Sequence, residues 1–383
     1  MRFVFKTNYD QDIRLFQHAG QMWTYLALLA VLLVAPAVVS SYMLSQLVFV
    51  FIYALVGVSL MILVGFTGQA SLGHAAFLAI GAYTAAFMQA HGFTFATYFL
   101  LAGVLTGIVG LLVGFPALRL HGIYLLIATI SFSFIIEELL ARWESVTNGN
   151  EGMRVKTLEL FGIEIGRNSD YFYYLCLGVL TVTIILTLNI MRSPTGRAFI
   201  AVRDSETAAR SMGVDIAATK VRAFGLSAAI TGLAGALFAH KMTFLSPEMF
   251  TLQLSIEFIM VIIIGGSLGL HGAILGAIFI IMIDPLLTLL KDDVPLLIGS
   301  LAQTFGAGSE RVKALEDGTQ ALTSTAGLKG VIYGLIIMLF ILFEPFGLYG
   351  RWLKIKLFFQ MFPLYKKSTF KRQKVYVKSE RNR

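Results

Sequence analysis

Charge is what this chain has least of. Asp, Glu, Lys and Arg make up 14 % of its 383 residues, against 57 % hydrophobic residues. A soluble domain carries roughly a quarter charged residues, so a water-facing globular surface is excluded. Cysteine is almost missing: Cys176 stands alone, which rules out an internal disulfide or a cysteine-based metal site. It falls mid-span, where a buried, inert thiol is expected. Histidine is sparse too. His18, His74, His91, His121, His240 and His271 are scattered without metal-ligand spacing. No phosphate-cradling Walker loop and no catalytic constellation occur, so the chain is expected to be no enzyme and to bind no cofactor itself.

What is present is apolar length. The mean hydropathy is +0.78, and a crossing of the bilayer core takes about 20 mostly apolar residues. Ten runs qualify as candidates: 22–43, 44–64, 70–89, 94–115, 122–142, 170–190, 221–240, 253–266, 270–290 and 328–349. The expected fold is an all-α integral membrane protein of about ten transmembrane helices, one or two of them broken or re-entrant. The run 253–266 is short enough to be a half-helix, and the run from Ala70 is interrupted by Gly, Ser and His. No cleavable leader is apparent, because the first run is long enough to stay as an anchor.

The few charges set the expected orientation, since Lys and Arg gather in cytoplasmic loops. From Arg351 onward the tail holds eleven Lys and Arg against Glu380 alone. The 191–222 stretch carries Arg192, Arg197, Arg203, Arg210, Lys220 and Arg222 against Asp204, Glu206 and Asp215. Both are expected in the cytoplasm, and ten spans then put both termini there. This divides the chain into a cytoplasmic segment 1–21, a transmembrane domain 22–349 and a basic tail 350–383. The domain contains a charged loop 191–220 and external loops 143–169 and 291–327. The basic tail fits anionic lipid headgroups rather than nucleic acid.

Two stretches carry more than topology. The first, Arg197–Asp215, is charged and helix-prone between two apolar runs, so it lies outside hydrocarbon. Its expected form is one helix along the membrane, ended by Gly213. Ala208, Ala209 and Met212 would then offer a small apolar face to a soluble partner. The second is Gly65–Thr84, where Gly65 and Gly68 interrupt an apolar run and Gln69, Ser71 and His74 follow. One reading is a broken helix lining a translocation path, because unwound backbone survives at membrane depth only beside a cavity or inside protein. The other is a tight turn with Ser71 as helix N-cap. Ser71-Leu72-Gly73 is echoed by Ser267-Leu268-Gly269 within Ile264–Gly276, which also holds Gly265 and Gly266. Internal repeats of this kind build many transporters.

Isolated polar residues have plainer readings. Glu137 and Glu138 beside Arg142 read as interfacial, and Glu257 as near a helix end. Asp284-Pro285 reads as a pathway carboxylate or a kink at a helix end. Glu344-Pro345 stops the last span, and Thr147–Gly152 is an external loop, either a plain turn or a docking surface.

Taken together, Gly65–Thr84, the Gly196–Gly213 segment (Gly-Arg-Ala…Val-Arg-Asp-Ser-Glu-x-Ala-Ala-x-x-x-Gly) and Ile264–Gly276 resemble the permease family of branched-chain amino-acid ABC importers. Their order and spacing are closer to the LivM-type subunit than to its LivH-type partner. The resemblance implies a coupling helix that docks in an ATPase, with Arg197, Ala198, Arg203, Asp204, Glu206, Ala208, Ala209, Met212 and Gly213 as its residues. Thr207 stands where the general motif has Glu, and Glu206 is displaced from it by one. It also implies a second homologous permease, two ATPases that hold ATP-Mg, and an external solute-binding protein, at a bacterial plasma (inner) membrane. The cargo expected is Leu, Ile or Val. Sister systems for urea or short amides form a second reading, and an ion-coupled secondary transporter acting alone is a third.

Overall fold

A computed structural model describes residues 19–286 and 328–361, except positions 121, 161, 284 and 345. The 291–327 insertion, the tail beyond Met361, Asp284 and Pro345 therefore lie outside the described residues. Helix α1 (Ala19–Val38) is followed by α2 (Ser41–Leu60), and the Ser40 side chain accepts from the Met43 N–H. This cap moves the expected boundary between the first two runs from 43–44 back to 39–40. Helix α2 widens into a π-helical turn, Met61–Phe66. Then come α3 (His74–Ala90), α4 (Phe95–Ala117), α5 (Ile123–Arg142) and α6 (Asp170–Arg192). The charged segment holds α7 (Pro194–Asp204) and α8 (Glu206–Ser211). After it run α9 (Ile216–Met242) and α10 (Leu252–Gly265), then α11 (Leu270–Ile283), α12 (Leu328–Phe343) and α13 (Gly347–Met361).

Among the described residues, six helical stretches are long and apolar enough to cross a membrane. They are Ser41–Phe66, Phe95–Pro116, Ile123–Arg142, Asp170–Arg192, Ile216–Met242 and Pro247–Gly265. The expected run 253–266 gains length because a 3-10 turn, Pro247–Phe250, leads into α10. The run expected from Ala70 is shorter, since α3 starts only at His74. Burial sorts the long stretches into layers. Ser41–Phe66 is 83 % buried and Ile216–Met242 is 72 %, whereas Ile123–Arg142 and Asp170–Arg192 are each 28 %. Thus α2 and α9 form the centre, and α5 and α6 turn apolar side chains such as Ile127, Ile135 and Val182 outward. An outer ring of exposed Ile, Leu and Val is what a lipid-facing surface consists of.

Small residues let the centre close. Gly103, Gly107, Gly110 and Gly114 recur on one face of α4 and meet Leu233, Ala229, Ala228 and Val221 of α9. On the other side, a β-carbon at Gly81 of α3 would collide with the Gly232 carbonyl, and one at Gly235 with the Leu78 carbonyl. Between helices in lipid no hydrophobic driving force operates, so backbone approach and close packing hold them together. At the far end of α9, two-residue strands β1 (Met153–Arg154) and β4 (Phe244–Leu245) pair antiparallel. Strands β2 (Leu158–Leu160) and β3 (Ile163–Ile165) form a second antiparallel pair. The loop 143–169 is therefore structured, and these two ladders qualify the all-α expectation. Cys176 is fully buried, as its position in α6 suggested.

This seam makes a prediction. Gly235→Ala places a β-carbon against backbone that cannot move aside, and overpacking of this kind costs about 1–3 kcal/mol. Gly178→Ala in α6 meets nothing within 4 Å. Heating the two variants in detergent and following the monodisperse fraction should show an earlier loss for Gly235→Ala only. Equal curves would mean the α3–α9 contact is not tight.

Candidate functional site

The stretches singled out in the sequence meet at one place. Helix α2 ends in the π-helical turn, and the last carbonyls of a helix need partners from elsewhere. Here four carbonyls of the turn find one. Thr67 Oγ1 donates to the Ile62 carbonyl at 2.7 Å, the Gln69 N–H to Leu63 at 2.9 Å, and the Gly68 N–H to Val64 at 3.2 Å. The fourth carbonyl, Gly65, accepts from Arg203 Nη1 at 3.0 Å, across 138 positions of sequence. Gly68 adopts φ +73°, the left-handed backbone that closes helix ends, and a β-carbon there would lie 3.1 Å from Arg203 Cγ. On the other flank, a β-carbon at Gly65 would lie 3.1 Å from the Ser267 carbonyl oxygen. So Arg203 of the charged segment and Ser267 of the echo both bear on the same glycine.

The charged segment differs from the single helix expected. Ser205 is extended (φ −165°, ψ 114°) and splits it into α7 and α8. Its side chain caps α8 by accepting from the Ala208 N–H at 3.3 Å. Gly213 does end the segment, at φ +82°, and Asp215 Oδ1 then caps α9 through the Ala218 N–H at 3.0 Å. The surface also differs. Ala209 is buried with Val202 and Ile216, so it faces its own chain. Thr207, Ala208, Arg210, Ser211, Met212 and Gly213 are exposed, and Arg203 and Asp204 also reach solvent. Asp204 Oδ1 pairs with Arg203 at 3.0 Å. Glu206 Oε1 binds Lys220 Nζ of α9 at 2.7 Å, where the lysine is almost fully buried. That ion pair answers what the displaced Glu206 does: it fastens α8 to α9. Arg197 Nη1 donates to the Arg192 carbonyl, closing the α6–α7 turn. Ala198 lies within α7.

Gln69, Ser71, Gly73 and His74 lie inside the chain. Ser71 and His74 are fully buried and Gln69 nearly so. Ser71 is not the helix cap either. Its Oγ accepts from the Gly73 N–H at 3.3 Å, and Gly73 occupies the cap position without a side chain. His74 Nε2 shares a hydrogen with Ser227 Oγ at 2.9 Å, and Ser227 Oγ donates to the Ser59 carbonyl at 2.8 Å. Ser59 Oγ and Thr231 Oγ1 lie 2.7 Å apart. Thr129 Oγ1 accepts from the Leu72 N–H, and Ser255 Oγ from the Ala75 N–H. Thr129 of α5 thus holds the unwound stretch 67–73, and Ser227 of α9 and Ser255 of α10 hold the start of α3 directly after it. Both side-chain amide atoms of Gln69 are buried without a partner. In the echo, Gly265 ends α10 and Gly266 follows at φ +99°, where Phe346 closes over it. Ser267 is exposed and Gly269 packs on the Tyr349 ring. The two echoed tripeptides share a sequence but not an environment.

Residues 42–341 match the family described as "Branched-chain amino acid transport system / permease component". The chain belongs to that family. It is similar to the high-affinity branched-chain amino acid transport system permease protein LivM of Salmonella typhimurium, 34 % identical over 300 residues, covering 72 % of this chain and 71 % of the relative. LivM of Escherichia coli (strain K12) is 35 % identical over 302 residues with the same coverage. A shorter similarity, 33 % over 122 residues, covers 30 % of this chain and 36 % of the autoinducer 2 import system permease protein LsrC of Escherichia coli O9:H4 (strain HS). No solved structure matches.

In this permease, sequence reasoning passed over the hydroxyls that hold the break. Ser59, Thr129, Ser227, Thr231 and Ser255 are single polar residues inside apolar runs. Such residues find partners across helices, so their presence was the available signal. A cavity of about 550 Å³ also opens by the far end of α5, lined by Glu137, Glu138, Arg142, Asn150 and Glu248. Glu138 is paired with Arg142 there, and Glu248 was not foreseen. Glu257 accepts from Tyr53 Oη at 3.1 Å.

Burial predicts thiol access. Since Cys176 is buried, single added cysteines can be read against a silent background. Met212→Cys in the purified chain should react with a polar maleimide about tenfold or more faster than Ala209→Cys or Ser71→Cys, because exposure governs thiol reactivity. Comparable rates at 209 and 212 would contradict the inward placement of Ala209.

Proposed function

We propose that this chain is the membrane-spanning permease subunit of an ATP-binding-cassette importer for branched-chain amino acids. In this reading a solute-binding protein outside the cell delivers Leu, Ile or Val. Two separate ATPases hold and hydrolyse ATP-Mg, and a homologous second permease completes the pathway. The machine sits in the bacterial inner membrane, with ten crossings and both termini cytoplasmic. The identity to LivM across 72 % of the chain is the observation that carries the reading. The exposed side of α8, namely Thr207, Ala208, Ser211 and Met212, is the surface proposed to enter an ATPase groove. Its apolar part is smaller than the sequence suggested, since Ala209 is withdrawn.

A related permease for another small solute is favoured by one finding, the partial similarity to a permease named for a different cargo. Urea and short amides belong to that alternative. The lone secondary transporter is weaker. It needs buried acidic ion sites, yet no carboxylate is among the buried side chains of the described residues.

Reconstitution in liposomes tests the proposal. With both permeases, both ATPases and the loaded binding protein, ATP should drive leucine accumulation, and omission of any component should abolish it. Loaded binding protein should raise ATP turnover more than empty protein, because a ligand shifts a conformational equilibrium only by its differential affinity for the two states. Valine and isoleucine should compete with leucine, and urea should not. Leucine accumulation by this chain alone, driven by a proton or sodium gradient, would overturn the reading.

A further inference from the structure

We propose that Arg203 is the positioning residue that carries movement of the charged segment to the unwound stretch 67–73, by holding the Gly65 carbonyl and packing on Gly68. This rests on the importer reading and assigns Arg203 inward, toward its own chain, rather than to the ATPase groove.

The argument starts from what connects the two regions. Helix α7 buries Phe199 and Val202 against the rest of the chain, and Phe199 belongs to a cluster with Ile62 and Leu63, against which Phe66 also packs. Apolar contacts of this kind allow sliding, because they are not directional. The Arg203–Gly65 hydrogen bond at 3.0 Å is directional. It has a charged donor, which makes it stronger than a neutral pair. The carbonyls of Ile62, Leu63 and Val64 are met instead by the residues that directly follow the turn. Gly68 adds a mechanical stop: its backbone is left-handed, and the aliphatic part of Arg203 lies where a side chain would otherwise be.

The other end of the segment is fastened separately. Lys220 Nζ and Glu206 Oε1 tie α8 to α9 at 2.7 Å, with the lysine nearly fully buried. A push on the exposed side of α8 therefore has two outlets within the chain. One runs into α9. The other runs through α7 and Arg203 to the end of α2. The second enters the unwound backbone at its start, beside the unpartnered Gln69 amide. Single-turn π-helical segments frequently mark functional positions, and here Arg203 holds the last residue but one of the segment.

The test uses the complete reconstituted importer. Hydrogen exchange at residues 66–73 is followed with and without ATP, and leucine import per ATP hydrolysed is measured in parallel. Wild-type exchange should respond to ATP. Arg203→Ala should lose that response, and its leucine per ATP should fall about tenfold, within the 5–150-fold range typical of coupling between sites. Arg203→Lys, which keeps a charged donor, should recover most of both. Gly68→Ala keeps Arg203 but inserts a β-carbon 3.1 Å from its Cγ, and should show the same defect even if Arg203→Ala does not assemble. The ATPases should co-purify with Arg203→Ala, since the surface proposed to meet them is the exposed side of α8. An ATP response in Arg203→Ala equal to wild type overturns the proposal whatever solute is carried, and so does loss of the ATPases from the complex. A wild-type complex that responds to ATP but imports no leucine would instead overturn the cargo reading and leave this inference standing.

Discussion

The end of a helix inside a membrane protein is the constraint around which this structure is arranged. Carbonyls near the end of the π-helical turn 61–66 need donors from outside it, and four of them, Ile62 to Gly65, have one. Three are met by Thr67, Gly68 and Gln69, a few residues further along the chain. The fourth is met by Arg203 from another part of the chain. Hence the broken helix and the charged segment are not independent features. The break is capped by the segment, and the segment is positioned by the break. Ser267 closes the other flank, so the second glycine-rich turn enters the same arrangement.

Much else follows from keeping that junction in place. The hydroxyl of Thr129 holds the unwound stretch after it at Leu72, and those of Ser227 and Ser255 hold the first residues of α3, so three helices fix its far end. Those helices must approach closely. The contacts at Gly81, Gly232 and Gly235 allow it by removing side chains from the seam. Fully satisfied polar networks stiffen what they hold, while an unpaired buried group is costly. The Gln69 amide is therefore the weak point of the junction in this conformation. It is where a second conformation has the most to gain.

Several of these features were legible in the sequence. Gly68 and Gly213 stand where left-handed backbone occurs, and glycine is the residue that tolerates it. The family resemblance likewise rested on motifs that a sequence shows directly. The split at Ser205 was readable and was missed: a serine followed by an acid and then alanines is a helix start, although the charges on either side look like one continuous helix. The inward turn of Ala209 was not readable, because it depends on where Val202 and Ile216 lie in space. Nor was the Arg203–Gly65 contact, since nothing local marks a bond across 138 positions. Helix boundaries were harder to read for a related reason. Apolar runs give a hydrophobic length, but caps at Ser40 and Asp215 and the unwound stretch before His74 decide where helices begin.

The central claim is that residues 203 and 68 are physically linked and that the link transmits motion. A cysteine pair reports on both parts. A β-carbon at Gly68 lies 3.6 Å from that of Arg203, within the range of about 3.5–4.5 Å that a disulfide spans. Gly68→Cys with Arg203→Cys in the assembled importer should form the bond under mild oxidation. Reduced, the pair lacks the arginine and should hydrolyse ATP with little transport. Oxidised, it should regain ATP-dependent exchange changes at residues 66–73, because a covalent link replaces the hydrogen bond. Failure of the two thiols to join, or joining without any change in the response to ATP, would contradict the account.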